Sequence, residues 1–172
     1  MRAGLGDWQL AAQFDCARAS GAARPGDWRA DTWGLALGLH HDRPHLDLYA
    51  AVNVSHGAGG AFPSLGGGPF FTTMEDVGID ALGGPGRAWL VSAAHPWRHG
   101  ARRWRLTLAA GGFRGRDGSA FDRRQLDTLL EFGLGRHLRL TAVATVATVA
   151  DDRSPADVDD RQFRLIADLD FR

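Results

Sequence analysis

Residues 102–113 run Arg-Arg-Trp-Arg-Leu-Thr-Leu-Ala-Ala-Gly-Gly-Phe, with Trp104, Leu106, Leu108 and Ala110 alternating against Arg103, Arg105, Thr107 and Ala109. Alternation with period two places the first set on one face of a β-strand and the second on the other. The same pattern spreads in both directions. Upstream it recurs over 7–17, 31–41, 45–55 and, less sharply, 87–97; downstream it recurs over 123–134, 137–149 and 161–172. Trp33, Leu35, Leu37 and Leu39 alternate with Thr32, Gly34, Ala36 and Gly38, and Leu138, Leu140, Ala142 and Ala144 with Arg139, Thr141 and Val143. The fold class is therefore all-β and antiparallel, with eight strands in this chain.

Strands of about ten to twelve residues exceed the five or six usual in globular domains and match what crosses a bilayer at a tilt. The connections alternate in length: long at 18–30, 56–86, 114–122 and 150–160, short at 42–44, 98–101 and 135–136. Short turns on one rim and long loops on the other are the pattern of outer-membrane barrels. Trp8, Trp97, Trp104, Phe132 and Phe171 fall near the short-turn ends, and Trp33, Trp89 and Phe163 near the long-loop ends, as two interfacial girdles would. Between them the apolar face carries Leu, Val and Ala without charge, where an Arg at the bilayer midplane would cost about 2–4 kcal/mol. The expectation is a transmembrane β-barrel over 1–172, either closed by itself or part of a larger porin barrel. A soluble ligand-binding barrel of the lipocalin kind also alternates, with its apolar faces turned inward, and stays open as the alternative.

Composition narrows the function. The chain has 172 residues, 20 basic and 20 acidic side chains and no net charge, so no overall field attracts nucleic acid. All 20 basic residues are Arg. Cys16 is the only cysteine, which excludes an intramolecular disulfide and a cysteine-based zinc cluster. The seven histidines show no zincin spacing, and Asp151, Asp152, Asp159 and Asp160 do not follow a calcium-loop pattern. No Gly-x-Ser-x-Gly element and no phosphate loop ending in Lys occur. The expectation is no enzyme, no metal and no cofactor.

On the membrane reading Arg103, Arg105, Arg139, Arg164 and Arg172 face the lumen with Asp127, Glu131, Asp168 and Asp170. Lumen charges set the selectivity of a channel for ions and zwitterions. Cross-strand ion pairing that merely stiffens the wall is the competing reading of the same residues. The 56–86 loop is too long for a turn and is expected to fold into the pore mouth as a constriction, with Phe62, Pro63, Phe70, Phe71, Glu75 and Asp76 as its candidate residues. Its glycines permit close approach to the wall.

Within that loop, Gly59-Gly60-Ala61-Phe62-Pro63-Ser64-Leu65-Gly66-Gly67-Gly68-Pro69-Phe70-Phe71-Thr72-Thr73-Met74-Glu75-Asp76 resembles a stretch in the C-terminal part of OprD-like outer-membrane porins. A phenylalanine–proline pair, a glycine-containing turn and a proline–aromatic pair lead toward the next strand. The resemblance continues through the hairpins of 87–172 and covers about two thirds of the chain by this pattern-level reading. It implies passive diffusion of small polar or charged solutes through a barrel commonly of about eighteen strands in the bacterial outer membrane, with lipid as the partner. Eight strands are fewer than that, so the sequence is expected to be the C-terminal portion of a larger porin. A closed eight-stranded, non-channel barrel acting through its loops is the alternative. Residues 1–6 lack a secretory-signal pattern, which leaves the chain cytoplasmic, already processed or a piece of a longer protein. The phase of Leu165, Ala167, Leu169 and Phe171 predicts one further aromatic after Arg172.

Overall fold

The computed structural model describes residues 7–19, 28–42, 44–57, 60–61, 70–75, 77–82, 84–116, 122–134, 137–150 and 158–169. Eight strands form one antiparallel sheet: β1 (Asp7–Ala19), β2 (Trp28–Asp42), β3 (His45–His56), β4 (Gly86–His99), β5 (Arg102–Gly115), β6 (Asp122–Leu134), β7 (Leu138–Ala150) and β8 (Val158–Leu169). Each strand pairs with its neighbours in sequence, in the order β1 to β8. The only helical element among the described residues is a 3-10 turn, Ile79–Leu82. Strands of 12 to 15 residues and the alternation of short and long connections are as the sequence implies.

Two strands begin earlier than the apolar pattern suggests. β2 starts at Trp28, because Arg29, Ala30 and Asp31 continue to pair with Arg18, Ala17 and Cys16. β8 starts at Val158, where Asp159 and Asp160 pair with Thr148 and Ala147. Ladder hydrogen bonds are made by the backbone and persist where side chains turn charged, so hydrophobic period marks the apolar band and not the strand end.

The burial pattern is inverted relative to a soluble sheet. Leu35, Leu108, Leu126 and Val146 stand about half exposed, whereas Asn53, Ser55, Thr32, Thr145 and Asp127 on the opposite face are at most 1% exposed. A lipocalin-like barrel would have the reverse. From Trp89 to Trp97 on β4, and across the matching stretches of the other strands, most outward side chains are apolar; exceptions include His95, Thr128 and, toward the long loops, Arg124, Thr148, Arg161 and Asp159. Arg87, Arg114 and Asp122 lie directly opposite one another just above this band, toward the long loops.

Register assembles the aromatics. Trp97 is opposite Trp104, and Trp104 opposite Phe132. Their ring centroids lie 6.0 and 4.4 Å apart, forming one row at the short-turn edge. Phe14 and Trp33, also directly paired, sit 4.2 Å apart at the long-loop edge.

β1 and β8 each pair on one side only among the described residues. Among the described residues they carry the most exposed large apolar side chains: Leu10 80%, Phe163 73% and Leu165 69%.

Candidate pore lining and its docked loop

The polar face divides into two halves. Toward the long loops it is covered by the connection between β3 and β4. Phe70, Met74, Val77, Ile79 and Leu82 from this connection form an apolar cluster with Ala88 and Leu90 of β4 and Phe113 of β5. Ile79 is fully buried and Phe113 is 1% exposed. Burying a side chain of this size is worth about 1.5–3 kcal/mol, so the cluster fixes the segment to the wall. Close approach is possible because Gly34 and Gly111 have no side chain: a Cβ on Gly34 would strike Asn53 and Phe71, and one on Gly111 would strike Met74.

Polar groups then set the orientation of the segment. Asn53 Oδ1 accepts from the Thr72 backbone N–H and hydroxyl, both at 3.1 Å, while Asn53 Nδ2 donates to the Trp33 carbonyl at 3.2 Å. The Tyr49 hydroxyl donates to the Phe71 carbonyl at 3.0 Å. The Ser55 hydroxyl accepts from the Gly86 N–H at 2.9 Å, where the segment rejoins the sheet. On the far side, Asp127 accepts from the Glu75 N–H at 3.2 Å, from Thr145 Oγ1 at 2.8 Å and from Gln125 Nε2 at 3.0 Å. Arg164 of β8 holds the Glu75 carboxylate at 3.2 Å. A buried carboxylate is tolerated where donors satisfy it, and Asp127 has them. One short stretch thus touches both β3 and β8, five strands apart or about 24 Å on a flat sheet. The sheet curls around it.

The short-turn half is open. A depression of about 920 Å³ is lined by Arg103, Arg105, Glu131, Arg139 and Asp168, together with Pro96 and His137. Arg105 reaches Asp47 at 3.0 Å and Glu131 at 3.8 Å. It reaches Asp47 across β4, where the row carries only Ala94 and Pro96, whereas Glu131 is its direct partner on β6. Asp47 in turn contacts His40, which also lies 3.3 Å from Asp42. Arg139 stands opposite Asp168, and Gly133 separates Arg103 from Arg139 in register. Arg103 and Arg139 make no ion pair with any described residue.

Of the lumen residues expected from the sequence, Arg103, Arg105, Glu131, Arg139 and Asp168 are thus brought together in one basin. Asp127 and Arg164 lie higher, engaged with the docked segment. Asp170 and Arg172 lie outside the described residues. Of the candidate constriction residues, Phe70 is buried against the wall, Phe71 is half-buried beside Gly34, and Glu75 bridges to Asp127 and Arg164. Phe62, Pro63 and Asp76 lie outside the described residues. Sequence reading missed Asn53, Tyr49 and Asp47. Each sits on the inward face of 45–55, so the face was legible; the partner was not, because it lies 19 to 58 residues away.

Among the described residues, no three His, Cys, Asp or Glu side chains converge where a metal ion would be held. No family model, curated protein or solved structure matches the chain.

Proposed function

We propose that this chain is the wall of an outer-membrane porin through which small polar or charged solutes diffuse passively. The observation that carries the reading is the inverted burial of the sheet: leucines and valines exposed on one face, Asn, Ser, Thr and Asp buried on the other. Eight strands at about 4.8 Å spacing and an apolar band about 25 Å tall amount to roughly 1,000 Å² of apolar surface. Soluble monomers rarely expose a contiguous patch beyond a few hundred Å². Lipid removes the cost of that surface, and the tryptophan rows at its two edges suit the headgroup region.

The basin at the short-turn end supports conduction rather than a purely structural role. Arg103 and Arg139 project there with no ion pair to any described residue, and a depression of about 920 Å³ admits hydrated ions. The docked segment at the other end narrows the passage, as the resemblance of 59–76 to OprD-like porins implies. The chemistry is geometric and electrostatic, with no bond made or broken.

Reconstitution into planar lipid bilayers tests this. Discrete conductance steps and an anion-leaning reversal potential are expected. Folded, membrane-inserted protein without conductance would sink the porin reading and favour the non-channel barrel.

A further inference from the structure

We propose that two copies of this chain close a single barrel, β8 of each pairing antiparallel with β1 of the other. The inference rests on the porin reading in taking the sheet for a channel wall, and it specifies how that wall is completed.

Closure within one copy is blocked from inside. An eight-stranded barrel encloses room for little more than its own inward side chains. Here that room is taken by the docked segment, whose Phe70, Met74 and Ile79 are buried against the wall. Two copies supply twice the eight strands of one sheet, the size at which barrels leave an aqueous channel.

The two edges fit each other. With eight strands, β1 and β8 run in opposite directions and Asp7 and Leu169 end at the same rim, so an antiparallel ladder between copies is geometrically allowed. Aligning the aromatic edges sets Phe14 opposite Phe163 and Trp8 opposite Leu169. The inward faces then meet as Gln9 with Asp168, Gln13 with Arg164 and Asp15 with Gln162, and among the described residues no like charges oppose. Among the described residues, the buried side-chain atoms lacking any hydrogen-bond partner include Gln13 Oε1 and Asp15 Oδ2 on β1 and Arg164 Nε on β8. In this register the side chain bearing one such acceptor, Gln13, stands opposite the side chain bearing such a donor, Arg164, while Asp15 stands opposite Gln162. Sliding by two residues one way sets Asp15 against Asp160; sliding the other way pairs Asp15 with Arg164 but sets Gln13 against Ile166 and Arg18 against Arg161. Edges that instead awaited unrelated strands would have no reason to complement each other.

The test uses unmodified protein and two cysteine variants in a Cys16→Ser background. Light scattering in detergent should give a particle holding two chains, and the unboiled gel band should carry twice the mass of the boiled one. Differently tagged Gln13→Cys and Arg164→Cys chains, refolded together and oxidised, should form a disulfide between the two tags, since opposed Cα atoms in a ladder lie within disulfide range. One chain per particle, or an intrachain disulfide in a Gln13→Cys/Arg164→Cys chain, would overturn the proposal, as would three or more copies. Conductance from a monomer would sink this inference and spare the porin reading; a cross-linked dimer without conductance would do the opposite.

Discussion

The backbone N–H of Glu75 donates to the buried carboxylate of Asp127 at 3.2 Å, joining residues 52 apart in sequence and pinning the docked segment to the middle of the sheet. The same carboxylate gathers Gln125 and Thr145, so a single side chain satisfies one loop donor and two wall donors.

Asp127→Ala leaves those donors buried without an acceptor. Hydrogen bonds to a charged group are worth about 1.5–3 kcal/mol, and a loss of that order is expected in the denaturant midpoint of the refolded protein. Protease cleavage within 70–82 should accelerate in parallel. An unaltered midpoint and cleavage rate would show that the segment is held without Asp127.

Gly111→Leu addresses the same docking from the apolar side. Its side chain would occupy the space of Met74 and lift the segment, raising single-channel conductance. Gly38→Ala is the control, because the nearest atom to its Cβ would be Gln9 Cβ at an ordinary 3.7 Å. Equal conductance in the two variants would count against a constriction at this height.

Leu108→Arg separates lipid from water as the surroundings of the apolar face. Leu108 is 48% exposed in mid-band, so in water the change would cost little, whereas in a bilayer it should destabilise by about 2–4 kcal/mol. Urea titration of protein folded into liposomes reads the difference. Thr107→Arg, one residue along and facing inward, should be tolerated.

Arg103→Ala and Arg105→Ala should move the reversal potential toward cation preference, Arg103→Ala more cleanly because Arg105 is also tied to Asp47 and Glu131. An unchanged reversal potential in both would remove them from the lumen.

Strands were legible in the sequence wherever one face met a uniform environment. Leu106 and Leu108 against Arg105 and Thr107 fix both the strand and its faces, because a slip of one residue would exchange them. The first residues of β2 and β8 were not legible, since Arg29, Asp159 and Asp160 keep the ladder without the alternation. Most of the basin was legible too: Arg103, Arg105, Glu131, Arg139 and Asp168 share a face and a rim. What escaped was pairing across intervening strands. Arg105 meets Asp47 over the small Ala94, and Asn53 meets Thr72 only because the loop returns to the wall. Such contacts depend on curvature and loop path, which no local period encodes.

The docked segment has a mechanical consequence. Anchored to Asn53 on one flank and to Asp127 and Arg164 on the other, it acts as a tie-beam across an arch. Flattening the sheet would require breaking those anchors, so a lone copy keeps its bend while its rims are still vacant. For the proposed two-copy barrel, the bend that the ring demands is set beforehand by the chain itself, and less conformational freedom is left to lose when the last ladder forms.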